Sequence, residues 1–387
     1  MTSLFIVLGI ACFFYLFIPG IGAFLVRHKW RNFRRSIIEG SLYPRVSYRS
    51  LRSSAGGYQG NFCYFGNLQA IQGEHLLWLT DGINTVSADL YKVEVFLLPK
   101  QSDSENTTED MPRPIKWHRI FSLPEGTRFF IAGPLFTEGR NPVFRSTKEN
   151  PLVVVLYDED DSSLLTVSIT AARQRNEYWN FITYPSLAAG FLSLLVVSYS
   201  ILHDPSQRGI ALFALTAGFI PVISLVPPGV FLLYLYRYFW KKGRVLRAER
   251  DLVKLPLRYF TGGFEGEDFQ EAVLPDGSVY KAVKIGPAEA EAYLQGENPP
   301  RLIEISKAPK AAEAGELFLF GGESGGKVVK PEEPLADYVI IPGNPVILSE
   351  KCRKGARKYE LLSVLVFSLG FLLNFGILLY LLALFIQ

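Results

Sequence analysis

The chain has 387 residues, 20% of them charged, with 29 Phe, 19 Tyr and a formal net charge of +3; its mean hydropathy is +0.17. The charged share lies below the ~25% usual in soluble domains, and so small a positive balance gives no basis for nucleic-acid binding. Three cysteines, Cys12, Cys63 and Cys352, stand far apart in sequence, which excludes a disulfide framework or a cysteine-rich zinc module.

The first element is the block 2–26, which carries no Lys, Arg, Asp or Glu. Three later blocks share that property: 180–202, 209–236 and 361–387. Each is long enough to cross a hydrocarbon core of ~30 Å as a helix, so four transmembrane helices are predicted, at 2–26, 180–202, 209–236 and 361–386. The first is read as a retained anchor, because Met1-Thr2-Ser3 lacks the basic start of a signal peptide and "RHKWRNFRR" follows the block. Cationic flanks mark the cytoplasmic side of a span. Arg27, Lys29, Arg31, Arg34 and Arg35 follow the first block, and Arg173 and Arg175 precede the second. Lys241, Lys242, Arg244 and Arg247 follow the third; Lys351, Arg353, Lys354, Arg357 and Lys358 precede the fourth. The turn "HDPSQR" between the second and third is nearly uncharged. Both termini are therefore expected outside and both large polar regions in the cytoplasm, as in a multi-pass protein of the plasma (inner) membrane. Trp30, Trp179 and Trp240 fall at the expected interfaces, where amphipathic rings are favoured.

Between the first two blocks, 36–172 reads as a β-rich domain. "YKVEVFLL", "KWHRIFSL", "TRFFIAG" and "LVVVLY" are short, apolar or aromatic, and broken by Gly, Pro and Asp. Between the last two, 252–346 reads the same way, from "VYKAVKI", "RLIEI" and "ELFLFG", with one helix in "PAEAEAYLQ" between Pro287 and Gly296. Small barrels or sandwiches follow from such spacing. The two halves share an ordered series of features. Each has a span with a Pro-Gly step leaving into basic and aromatic residues, then an Asp-Gly turn (Asp81-Gly82, Asp276-Gly277). Each continues with "GTRFFIAG" or "GELFLFGG", a Pro-Leu step, and a basic segment entering the next span. A tandem duplication accounts for that order. Both Asp-Gly pairs are expected as two-residue hairpin turns with positive φ at each residue. The segment 347–360 is predicted as an amphipathic basic helix capped by Ser349, with Leu348, Cys352, Ala356 and Tyr359 on one face.

Candidate chemistry is sparse. "GGESGGKV" at 321–328 approaches a phosphate-binding loop, but Val328 replaces the metal-binding hydroxyl and "VKPEEP" cannot open a helix; a Gly-rich hairpin is expected. The run from Asp158 to Ser163 lacks the Gly and Glu of a helix-loop-helix calcium site and reads as a solvated turn. His28, His75, His118 and His203 show no metal spacing, and there is no G-x-S-x-G elbow. No ionisable residue lies inside a span; Asn374 and the prolines Pro185, Pro221, Pro227 and Pro228 are the features a transporter reading has to use.

The second half resembles the "beside-a-membrane" β domain of the GIDE family, which includes a mitochondrial ubiquitin ligase. The residues concerned are Gly315, "LFLFG", "VILSEKCRKGARKY" and the span after them. The resemblance implies a β module set between two membrane helices and serving recognition or assembly. The ligases' zinc-binding RING has no counterpart among these residues, so ligase activity is not implied. The expectation is a non-enzymatic membrane scaffold without cofactor or metal, with a protein partner or a second copy, whose fourteen cations flanking the first, third and fourth blocks contact anionic lipid or a partner. The alternative is a membrane-embedded enzyme or transporter whose site assembles in space.

Overall fold

The computed structural model describes residues 2–47, 57–98, 113–120, 123–138, 141–158, 160–174, 177–223, 225–306 and 316–386. The opening Gly315 of the second motif, Glu159 and Arg175 lie outside them. The chain divides into two compact units, Met1–Arg31, Arg175–Val245 and Lys354–Gln387 in one, Asn32–Gln174 and Leu246–Arg353 in the other.

The apolar unit is helical. Helix α1 (Thr2–Gly40) widens into a π turn at Phe13–Phe17. Such a turn disturbs the backbone ladder, and Ser186 Oγ donates to Phe14 O at 2.5 Å. Ser186 belongs to α3 (Thr183–Leu202). There Gly190 makes close approach possible: a Cβ at that position would stand 2.6 Å from Tyr15 Cε1 and 2.8 Å from Phe14 Cβ. Among the described residues, three helices are long and apolar enough to cross a membrane: α1, α3 and the apolar part of α8 (Pro345–Ile386). Their outer faces are apolar and bare, as at Phe24, Leu192 and Leu372, each at least 60% exposed.

The stretch 209–236 is not one helix as expected. It forms α4 (Arg208–Gly218), the single turn α5 (Ile220–Ile223) and the start of α6 (Gly229–Lys254). Pro221, Pro227 and Pro228 supply no backbone N–H to a helical ladder, so the chain breaks where they cluster. The apolar contacts of this unit join Val7, Leu194, Ala214 and Ala217, with Tyr15, Phe213 and Phe375 against them.

The polar unit holds two sheets. The first contains β1 (Gly57–Gln72), β2 (Leu76–Thr80), β3 (Thr85–Asp89), β4 (Glu94–Leu97), β5 (Arg113–Lys116), β6 (Arg128–Glu138), β7 (Asn141–Arg145) and β8 (Val153–Tyr157). Its order is β1-β2-β3-β7-β6-β8-β4-β5, and β6 also pairs back to β1. Five strands thus close into a barrel, with β8, β4 and β5 as an extension. Closure depends on β1, whose first part pairs with β6 and whose last part pairs with β2. At the crossover Gly66 has no room for a side chain, since a Cβ would meet the Tyr64 ring at 2.5 Å. Leu77, Leu79, Val86, Phe129, Ile131 and Phe144 fill the core. The expected strand at "KWHRIFSL" is instead the end of β5 and a 3-10 turn at Trp117–Arg119. "LLTVSI" opens the helix α2 (Leu164–Gln174), so the acidic run is a strand-to-helix connection in which Tyr157 donates to Asp161 Oδ1.

The second sheet contains β9 (Phe269–Val273), β10 (Val279–Ile285), β11 (Arg301–Leu302), β12 (Leu317–Ser324), β13 (Lys327–Val329) and β14 (Val339–Ile341), with α7 (Pro287–Leu294) after β10. Its order is β11-β14-β12-β10-β9, with β13 on β12. "RLIEI" is strand only at Arg301–Leu302. One pairing pattern recurs in both sheets. The strand carrying "RFFIAG" or "LFLFG" forms a hairpin with the next strand and lies antiparallel to the one after. That last strand is parallel to an earlier one: β4 with β8, and β11 with β14.

Both Asp-Gly hairpins form, but not as two-residue turns. Gly82 and Gly277 have positive φ, whereas neither aspartate does. Asp81 Oδ1 accepts from the backbone N–H of Ile83 and Asn84, and Asp276 Oδ1 accepts from Ser278 N–H. The aspartates act as side-chain acceptors that brace longer loops. The Gly-rich hairpin at 321–328 is the two-residue turn: Ser324 faces Lys327 across Gly325 and Gly326, both at positive φ.

Candidate functional site

The basic flanks divide into those paired with a buried acid and those without one. Arg27 Nε donates to Glu177 Oε2 at 2.9 Å, and Arg244 Nη1 donates to Glu177 Oε1 at 3.2 Å. One carboxylate just ahead of α3 thereby joins cations from α1 and α6. Arg244 is only 6% exposed, and its guanidinium lies 4.4 Å from the centroid of Trp240. Burial alone raises the Glu177 pKa, but the hydrogen bonds and charges of Arg244 and Arg27 outweigh it and hold the group below the ordinary carboxylate range. In the polar unit Arg34 donates to Ala172 O, and Arg35 pairs with Glu39 one turn along α1.

Most of the remaining flanking cations present themselves to solvent. Arg31, Lys241, Lys242, Lys351, Lys354, Arg357 and Lys358 are exposed, as is Arg353, which pairs with Glu350; Lys29 and Arg247 are half-buried. The predicted amphipathic segment is helical and continuous with the span after it, within α8. Leu348, Cys352 and Ala356 are buried, Tyr359 is half-buried, and the five cations lie outside. Ser349 is not its cap. Asn344 Oδ1 accepts from Val346 N–H at 2.9 Å ahead of Pro345, while Ser349 donates back to Val346 O.

The second polar feature lies inside the apolar unit. Asn374 of α8 is 3% exposed. Its Nδ2 donates to Ile223 O at 2.5 Å and Val226 O at 2.6 Å, and its Oδ1 accepts from Gly229 N–H at 3.2 Å. Those partners fix the orientation of the amide. One side chain thus serves three backbone groups at the break between α5 and α6, of which Gly229 N–H has no carbonyl partner among the described residues. Tyr15 Oη donates to Gly218 O at the end of α4. The sequence singled out Asn374 and the prolines separately; what it lacked was that the amide seats on the break they create.

Among the described residues no cluster of three or more His, Cys, Asp and Glu has metal-binding geometry. His75 meets Tyr91 edge-on and His203 meets Tyr199 in the same way. In the polar unit, Arg258 pairs with Asp337 in the interior, beside Tyr259. Glu249 accepts from Ser306. Burial, with the Glu333 carboxylate adding to it, pushes the Cys63 thiol up to about 12, so it is a packed apolar group and not a nucleophile. Sequence reasoning missed Glu177, whose signal was present as a lone acid just after Arg173 and Arg175 at the mouth of a span. Comparison with protein-family models, with characterised proteins and with solved structures finds no match.

Proposed function

We propose that the chain is a four-span membrane scaffold that holds two β modules together on the cytoplasmic face, where they recruit a protein partner or a second copy. The observation that carries the reading is a set of contacts between the two polar regions. Arg173 pairs with Asp251 at 2.5 Å, and Arg301 donates to Thr166 Oγ1 at 2.7 Å. Residues in contact lie on one side of a membrane, so the chain crosses an even number of times between positions 173 and 251. Helix α3 is one crossing, and the broken stretch 209–236 is the other. Its eleven-residue α4 and the eight residues 229–236 of α6 rise about 16 Å and about 12 Å, close to the ~30 Å of a hydrocarbon core. The cationic flanks then orient both modules inward and both termini outward.

The pairing pattern common to the two sheets supports descent of the modules from one duplicated unit, and the resemblance to GIDE-type domains supports a recognition role. A second reading, a transporter, is favoured by one observation: a helix broken at prolines with a buried amide on the break. Affinity purification from native membranes in mild detergent, with mass spectrometry of bound proteins and lipids, separates the two. A stoichiometric protein partner or a stable homo-oligomer supports the scaffold. A lone chain retaining a defined small molecule refutes it.

A further inference from the structure

Six cations of the apolar unit gather on two packed helices. Arg237, Lys241 and Lys242 follow the apolar start of α6; Lys354, Arg357 and Lys358 precede the apolar part of α8, and all six are exposed. The helices meet at Gly243, where a Cβ would stand 3.5 Å from Ala356 O. The rings of Phe239 and Tyr359 stack with centroids 6.2 Å apart. Lys242 Nζ lies 4.5 Å from the Tyr238 ring centroid and 5.8 Å from that of Tyr359, between a ring of each helix.

A role in topology alone requires cations near each span, but not that all of them stay exposed and without an acidic partner. Arg27 and Arg244 are neutralised by Glu177, whereas among the described residues none of the six makes an ion pair with an acid. The nearby Glu360 is half-buried, with its Cγ 3.2 Å from where a Gly243 Cβ would stand. Arg237 directly follows the last residue of one uncharged block, and Lys358 stands three residues before the next, at headgroup depth for both. Exposed Tyr238 beside them is a residue type enriched at that level.

We infer that these six cations, set around two packed helices at one depth, bind the phosphodiester headgroups of anionic phospholipids in the adjoining leaflet. The inference rests on the membrane reading above and adds a ligand class to it. Attraction of basic residues to an anionic leaflet is cumulative and weakened by salt.

The test uses the purified full chain in neutral detergent, offered equal amounts of phosphatidylglycerol and phosphatidylcholine, with retained lipid counted by native mass spectrometry. The expected preference for phosphatidylglycerol is at least tenfold at 0.05 M salt, falling severalfold at 0.5 M. Replacing the six cations by Gln abolishes it, while Lys92→Gln, Lys116→Gln, Lys148→Gln and Lys330→Gln together leave it intact. Should the sixfold variant not fold, Lys241→Gln/Lys242→Gln and Arg357→Gln/Lys358→Gln each lose part of the preference. Equal retention of both lipids, an unchanged preference in these variants, or full displacement by equimolar inorganic phosphate overturns the inference. The scaffold reading is tested separately, by the protein partner, and survives any of those results.

Discussion

Replacing Asn374 by Ala removes three hydrogen bonds from the interior of the apolar unit. The losses are unequal. Ile223 O still accepts from Val226 N–H, and Val226 O from Val230 N–H, so each carbonyl loses a second donor. Such interhelical bonds are worth about 0.6 kcal/mol each on average in a membrane. Gly229 N–H loses its acceptor, and an orphaned buried donor costs about 1–3 kcal/mol. The total is about 2–4 kcal/mol. Asn374→Asp should be worse, because it keeps the acceptor for Gly229 but sets a carboxylate against two carbonyls in an apolar interior. The assay is reversible unfolding in mixed micelles, followed by tryptophan fluorescence. The reasoning is refuted if Asn374→Ala falls within 0.5 kcal/mol of the parent, or if Asp is tolerated better than Ala.

Three further outcomes are expected. Glu333 is 6% exposed with one carboxylate oxygen unpartnered, and burial raises its pKa against the opposing charge of Arg45. An acid with a raised folded pKa loses stability as pH rises through that value. Glu333→Gln should therefore raise the melting temperature at pH 8 and change little at pH 4; a loss at pH 8 would contradict this. Glu177→Ala leaves Arg244 buried without its counter-charge and should cost about 3–5 kcal/mol in the same unfolding assay. In the parent that contribution is present above the ordinary carboxylate pKa and fades as pH falls through the depressed one. Gly190→Val drives a side chain into Phe14 and Tyr15 and should cost about 1–3 kcal/mol or more; parent-like stability would show that α1 and α3 do not meet there.

How much of this was legible follows from which physics is local. Absence of charge over twenty residues is a property of one segment, so α1, α3 and the apolar part of α8 were readable, as were α7 and the amphipathic face of Leu348, Cys352 and Ala356. The break in 209–236 was visible only as prolines, because what makes it tolerable is Asn374, 145 residues from Gly229. Cationic flanks were read as one class, yet Arg27 and Arg244 are paired, and Arg244 buried, because a third element brings Glu177 to them. "Asp-Gly" located both hairpins but not their loop length, which depends on where the flanking strands pair. The cap of α8 went to Asn344 over Ser349, since Pro345 already begins the helix. Barrel closure rests on one strand pairing with two partners, and no local pattern encodes that.

The most direct test of the account is a map of sidedness. Single cysteines are placed at Lys148, in the first β module, at Glu297, in the second, and at Ser206, in the turn between α3 and α4. The background is Cys12→Ser, with buried Cys63 and Cys352 retained. Sealed membrane vesicles are then treated with an impermeant maleimide. The account predicts that positions 148 and 297 are labelled from the same face and position 206 from the opposite one. Labelling of 148 and 297 from opposite faces would mean an odd number of crossings between them, and the shared cytoplasmic scaffold would have to be abandoned.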